Sequence, residues 1–312
     1  MTEKKTGSGA DAGGATMKDA FSGYHPAVNF LYFTLVILFS MFFMHPACLA
    51  ISLTCSFIYS ISLNGKKARR FNFLFLVPMM LVAALLNPAF NHEGVTILLY
   101  LKSGNPLTLE SIAYGAAAAA MLAAVICWFS CYNAVMTSDK FVYLFGRVIP
   151  ALSLILSMVL RFVPRFRAQI RQIAKAQKSI GRDASSGGIL TRARRGVTIF
   201  SILVTWALEN AVETADSMRG RGYGLPGRSA FSIYRLEGRD LRALFFMGAM
   251  GAYVVAGNWA GGLYWRYFPG LRGVSATFFS CSLFAAYFIL CMTPFVIDRI
   301  EDRKWKALQS KI

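Results

Sequence analysis

The residues best suited to recognition chemistry are cations set beside glycines. Arg219-Gly220-Arg221-Gly222 closes a stretch that carries Glu209, Glu213 and Asp216, and Lys178 and Arg182 flank Gly181 further upstream. A cation in the last turn of a helix is favoured by the negative end of the helix dipole, and an arginine there presents a planar five-donor fork that fits a carboxylate. The chemistry is docking into an acidic groove rather than bond making. The other reactive side chains fit no catalytic pattern. His25, His45 and His92 stand at the ends of apolar runs or in loops, without the paired His and Glu of a metalloprotease, and are expected to be interfacial. Cys48, Cys55, Cys127, Cys131, Cys281 and Cys291 form no C-x-x-C pair; although Cys127 and Cys131 share a helix face, all six are expected to be small buried filler. Nothing matches the G-x-x-x-x-G-K-[ST] phosphate loop. No catalytic group, metal site or cofactor is expected.

Two helices must position those cations. The first continues from about Ala151, bends or restarts near Pro164 and runs to about Ile180. Arg167, Arg171, Lys175 and Lys178 fall on one of its faces, Phe166, Ile170 and Ile173 mark another, and Gly181 is its C-cap. The second runs from about Val197 to Arg219, with Phe200, Val204, Ala207, Ala211, Ala215 and Met218 along one packing stripe. Ala184-Ser185-Ser186-Gly187-Gly188 between them reads as a flexible turn. Arg161 to Arg242 holds 16 Lys and Arg against 6 Asp and Glu.

The rest of the chain is of another kind. Of its 312 residues 56% are hydrophobic and 15% charged, and 33 Lys and Arg against 15 Asp and Glu give a net charge of +18. Disorder needs low hydrophobicity, and a soluble domain carries about 25% charged residues. Six uncharged apolar runs are long enough to cross a bilayer core: Ala27 to Met44, Pro46 to Leu63, Phe71 to Asn87, Ile112 to Met136, Ala243 to Tyr264 and Val274 to Ile297. Lipid offers no partner to an open backbone, so each is read as a helix. The expected fold is all-α, a polytopic membrane protein of about six transmembrane helices with two long cytoplasmic helices inserted between spans 4 and 5.

Charge sets the orientation. Lys66, Lys67, Arg69 and Arg70 follow the second run, and Arg299, Arg303, Lys304, Lys306 and Lys311 follow the sixth; the opposite loops supply only Lys102, Arg266 and Arg272. Cytoplasmic loops collect Lys and Arg, so both termini are expected in the cytoplasm. Phe141 to Leu160 is apolar but contains Arg147 and Pro150. Were it a seventh span it would carry the basic block outside, so it is read as interfacial or buried under the bundle. The expected segments are a disordered cytoplasmic tail (1–24), spans 1–4 (25–136), the interfacial and cytoplasmic helices (137–242), spans 5 and 6 (243–297) and a basic cytoplasmic tail (298–312). Trp259, Tyr264, Trp265, Tyr267 and Phe268 read as an aromatic belt at the outer face.

With these strings in view the chain resembles the transmembrane T component of energy-coupling factor (ECF) transporters, the family that includes the T subunits of cobalt and vitamin importers. The likeness runs from Pro26 to about Gly224. It is carried by His25-Pro26, by Arg161-Phe162-Val163-Pro164, by Ala176-Gln177-Lys178 and above all by Ala215-Asp216-Ser217-Met218-Arg219-Gly220-Arg221-Gly222-Tyr223. The family carries an Ala-Arg-Gly type motif at the end of each of two coupling helices, each Arg docking one ATPase subunit. The resemblance therefore places Arg221, within Arg219, Gly220 and Gly222, at one docking position. At the other this chain has Ser179-Ile180-Gly181 followed by Arg182, so either Arg182 or Lys178 takes over the contact, or that end docks more weakly. The implied partners are two ATP-binding cassette ATPase subunits and a small substrate-binding membrane subunit, with ATP hydrolysed on the partners and a vitamin or metal ion as cargo.

Other readings compete with this one. A self-sufficient secondary transporter would bury carboxylates in its spans, and the six runs contain none, Glu110 lying only at the mouth of the fourth. A membrane scaffold would bind no ATPase. An anionic lipid surface would attract the basic block, each cation contributing about 1 kcal/mol, but that alone leaves the acid-bearing amphipathic helices unexplained. Nucleic acid is not an expected partner, because Phe200 and Trp206 belong to the apolar side of a helix and provide no stacking platform.

Overall fold

The computed structural model describes residues 19–100, 106–146, 150–183, 185–223, 225, 234–274 and 277–310. The tail 1–18, Lys102, Arg147, Ala184, Gly224 and Lys311 lie outside the described residues. The chain divides into two compact units, one of residues 1–137 and 234–312 and the other of residues 138–233.

Among the described residues the first unit is helical apart from two short antiparallel strand pairs. Its helices are α1 (Pro26–Phe42), α2 (Pro46–Phe71), α3 (Val77–Phe90) and α4 (Leu109–Val135), followed after the second unit by α8 (Gly238–Trp259) and α9 (Phe278–Gln309). Both His-Pro pairs start helices. The Nδ1 atoms of His25 and His45 accept the amides of Ala27 and Ala47, each at 3.2 Å, with proline at the first helical position. Proline preset for the helix and lacking a donor is suited to that position, and the imidazole satisfies one of the remaining amides.

The six apolar runs correspond to α1, α2, α3, α4, α8 and α9. Lengths and composition suited to crossing a membrane are found in Pro46–Phe90, Leu109–Val135, Gly238–Trp259 and Phe278–Gln309, and also in Ile189–Gly220 of the second unit; α1 is shorter. The expected loop after the second run is only a break at Gly65, whose φ is +56°. Beyond it the basic residues stay helical, and a π-helical turn (Asn72–Leu76) leads into α3. Leu49 lies with Ala117, whereas Leu76 lies with Ala123 and Cys127. A Cβ on Gly115 would approach Ala84 O and Asn87. The chain therefore reverses direction between α2 and α3.

Small residues let these helices touch. A side chain on Gly115 would strike the backbone of α3 at 2.7 Å, one on Gly257 would collide with Leu283 of α9, and one on Gly251 would press on Leu35 at 3.2 Å. Ala117 and Ala119 are buried beside Gly115. Close approach of this kind holds helices together in lipid, where no hydrophobic force acts between them. Polar side chains add interhelical bonds. Trp128 Nε1 donates to Ser52 Oγ at 3.0 Å, the hydroxyls of Ser40 and Tyr287 lie 3.3 Å apart, and Tyr32 donates to the Cys291 carbonyl at 2.9 Å. Five of the six cysteines are buried as expected, but Cys281 is exposed.

Carboxylates just outside the apolar runs fasten the start of the chain. Asp298 accepts the Phe21 amide at 2.9 Å; Asp240, in the capping box of α8, accepts those of His25 and Glu237; and the Arg239 guanidinium lies 4.4 Å from the Tyr24 ring. Phe21 itself is fully buried in the main core. Residues 19–25 are thus ordered, unlike the disordered tail expected to run to residue 24. Two carboxylates, one cation and one aromatic anchor account for the difference.

The expected aromatic belt divides. Trp259 and Tyr264 are exposed, whereas Tyr267 is buried, donates to the Met44 carbonyl at 2.9 Å and packs edge-on against Tyr114.

Candidate docking site

The described residues of the second unit form α5 (Ser138–Gly146), α6 (Pro150–Ser179) and α7 (Ile189–Gly220). Helix α6 runs on through Pro164 without the expected restart. A proline removes one hydrogen bond, and the rest of a long ladder can persist around it. Helix α7 begins at Ile189 rather than near Val197. The added turns hold Arg192, Arg194 and Arg195, good helix formers that offset Gly196.

The two helices are joined by Ile173, Ile199 and Leu203, with Trp206 packed against them. The Trp206 ring also meets the Phe166 ring edge-on at 5.8 Å, and the Arg165 guanidinium lies 5.8 Å from it. The stripe read from the sequence is not the face that meets α6. Phe200, Val204, Ala211 and Ala215 are exposed, Phe200 at 65%, and only Ala207 and Met218 are partly covered. The packed face lies one residue earlier, about 100° around the helix.

Both helices end in the same way. At the end of α7 the Gly222 amide donates to the Arg219 carbonyl and the Tyr223 amide to the Met218 carbonyl, with Gly222 at φ +79°. At the end of α6 Gly181 donates to Lys178 and Arg182 to Gln177, with Gly181 at φ +76°. Each is a complete Schellman closure with glycine in the left-handed position. Arg221 and Ile180 therefore occupy the same place, the C-cap, in the two motifs.

The cations differ accordingly. Arg219 and Arg221 are exposed, and neither forms an ion pair among the described residues. Lys178 pairs with Asp183 at 3.4 Å, and Arg182 is exposed two residues beyond the C-cap. Ile180 is 63% exposed. The turn between the helices is braced: Asp183 Oδ1 accepts the Ser185 amide at 2.9 Å, and Arg195 Nη1 donates to the carbonyls of Asp183 (2.6 Å) and Ser186 (3.0 Å). The Ser185 amide and hydroxyl, with Lys178, hold the Asp183 carboxyl below the usual carboxylate range. The sequence reading missed this brace and the C-cap place of Ile180, which the position of Gly181 alone could have revealed.

The structure thus defines a class: an all-α, multi-pass membrane protein that carries a basic helix pair with two matched, glycine-closed ends. Residues 23–233 match the CbiQ family, described as cobalt transport protein, and since the match covers more than half of the chain, the protein belongs to that family. It is 33% identical over 96 residues to the energy-coupling factor transporter transmembrane protein EcfT of Lactobacillus helveticus, covering 30% of this chain and 35% of that one. With EcfT 1 of Listeria monocytogenes the identity is 35% over 97 residues, 31% of this chain and 36% of the relative. With EcfT of Staphylococcus aureus it is 40% over 72 residues, 23% of this chain and 27% of the relative. The chain spans about a third or less of the length of these curated relatives.

Proposed function

We propose that this chain is the transmembrane coupling subunit of an ATP-driven ECF-type importer of a vitamin or metal ion. In this reading it catalyses nothing itself. Two ATP-binding cassette subunits dock on the ends of α6 and α7, and their closure on ATP moves those ends and, through the helices, a small substrate-binding membrane subunit. That is a two-state element biased by nucleotide, the form a coupling mechanism requires. The six apolar runs are the spans, both termini and the α6–α7 pair are cytoplasmic, and the basic faces rest near anionic lipid.

The observation that carries the reading is Arg221, an exposed guanidinium at the C-cap of a closed helix, within the stretch that matches the family. A fork fixed at the negative end of a long helix is suited to an acidic groove. The exposed stripe of Phe200, Val204, Ala211 and Ala215 is assigned to the substrate-binding subunit rather than to α6.

The test is affinity purification of the tagged chain from native membranes in mild detergent, wild type against Arg221→Glu. Recovery of two ATPase subunits and a small membrane protein, with the ATPases lost from the variant, is expected. A wild-type chain that comes down alone, or a variant that retains its ATPases, overturns the assignment. Ala211→Arg separates the stripe from the ends: the helix pair stays folded and keeps its ATPases, while the small subunit is lost.

A further inference from the structure

The connection between α3 and α4 holds an apolar strand with both faces open. After Asn91–Thr96, β1 (Ile97–Tyr100) pairs antiparallel with β2 (Pro106–Thr108). Successive residues of a strand point to opposite faces, so a hairpin in water keeps at least one face polar. Here Val95, Ile97, Leu98, Leu99 and Tyr100 are all apolar or aromatic and all exposed, from 46% at Ile97 to 72% at Val95.

The base of this hairpin is built rather than loose. The Glu110 carboxylate is buried at the start of α4 and accepts the Thr96 amide at 3.2 Å and the Thr96 hydroxyl at 2.9 Å. Thr108 Oγ1 donates to the Glu93 carbonyl at 2.8 Å, and Ser111 Oγ to the Asn91 carbonyl at 2.6 Å. Gly94, at φ +146°, lets the chain pass over this carboxylate; a Cβ there would stand 2.6 Å from Glu110 Oε2. The strand is therefore held at a fixed height above the mouth of α4.

Two further observations select its occupant. Exposed apolar side chains also line α3, where Leu81, Val82, Leu85, Leu86 and Phe90 lie in a segment long and apolar enough to cross a membrane. Exposed Trp259 and Tyr264 mark the same end of the unit, since Tyr267 from the following loop packs on Tyr114 of α4. Exposed aromatics of this kind sit at headgroup level. A two-stranded hairpin has open backbone edges and cannot enter the hydrocarbon core, but at the headgroup boundary those edges keep water while the side chains reach the acyl chains.

We infer that β1 is an interfacial anchor, lying in the headgroup–acyl boundary of the leaflet at this end of the bundle, with Glu110 as the post that sets its depth. The inference does not rest on the ATPase reading and is tested on the full chain alone. In a Cys281→Ser background, Leu99→Cys, Tyr100→Cys and Glu93→Cys each carry an environment-sensitive fluorophore in vesicles of phosphatidylethanolamine and phosphatidylglycerol. The expected result is that lipid nitroxides placed near the headgroup quench both strand positions, while aqueous iodide quenches them several-fold less than it quenches the Glu93 position. Iodide reaching either strand position as freely as Glu93 overturns the anchor. Shielding of the strand from both quenchers also overturns it, in favour of a protein lid such as a second copy. Thr96→Val, which removes one bond to the post without a charge change, is expected to raise iodide access at Leu99; unchanged access overturns the role of Glu110.

Discussion

The ends of α6 and α7 share one backbone and differ in one side chain. Each closes with the same pair of hydrogen bonds over a left-handed glycine, yet the C-cap is Arg221 in one and Ile180 in the other. Next to Ile180, Lys178 is already paired with Asp183. The comparison teaches that backbone geometry and docking charge are separable. Gly181 and Gly222 fix where a side chain projects, and the residue before each glycine decides what a partner meets. Within the proposed function, the two ATPase subunits meet unequal surfaces.

The largest effect that could break this contrast is charge inversion. Arg221→Glu is expected to weaken ATPase recovery by about a hundredfold, near 2.7 kcal/mol, whereas Arg182→Glu changes it by less than about threefold. Equal losses in quantitative pull-downs would show that the α6 end docks through Arg182 after all. Next, Leu203→Ala is expected to cost the helix pair about 2 kcal/mol and Val204→Ala less than about 0.5, because only the first removes a packed side chain. Thermal unfolding of the purified variants checks this, and the reverse order would restore the stripe read from the sequence.

Ile180→Arg sharpens the comparison by making the ends alike, and recovery of the ATPases is expected to rise by about tenfold, or 1.4 kcal/mol. No gain would mean that the partner groove at this end is itself apolar. Gly181→Ala and Gly222→Ala are each expected to fray their last turn by about 1 kcal/mol, seen as faster amide exchange at Arg182 and Tyr223. The smallest effect is one of pH. The Asp183 carboxyl has its folded value lowered, so its contribution to the α6–α7 turn is present above the ordinary carboxylate value and fades as pH falls through the lowered one. Amide exchange at Ser185 should quicken over that acid range, and Asp183→Asn should remove the dependence.

Long apolar runs reported the helices of the first unit well, because a backbone that lipid surrounds has few alternatives. Register within α7 was harder to read. Ile199, Leu203 and Trp206 and the neighbouring Phe200, Val204 and Ala207 are both apolar series, so periodicity offers two faces and the partner chooses. The glycines announced where both helices stop, but the matching of Ile180 to Arg221 emerges only from their hydrogen bonds. Residues 19–24 read as tail because the carboxylates that fasten this stretch, Asp240 and Asp298, lie more than 200 positions away.

That separation has a consequence for biosynthesis. Tyr32 finds its acceptor at Cys291 and Phe21 its carboxylate at Asp298. At a ribosomal pace of about 5–20 residues per second, the first helix waits roughly 10–50 s for α9 to be made. During that interval the Tyr32 hydroxyl has only lipid, the insertion machinery or a chaperone to face. The bundle is closed by its last helix: a chain stalled before α8 can pack Tyr32 and Phe33 of α1 on Trp128 and Tyr132 of α4, but it leaves the Tyr32 hydroxyl without its acceptor and is a natural substrate for membrane quality control.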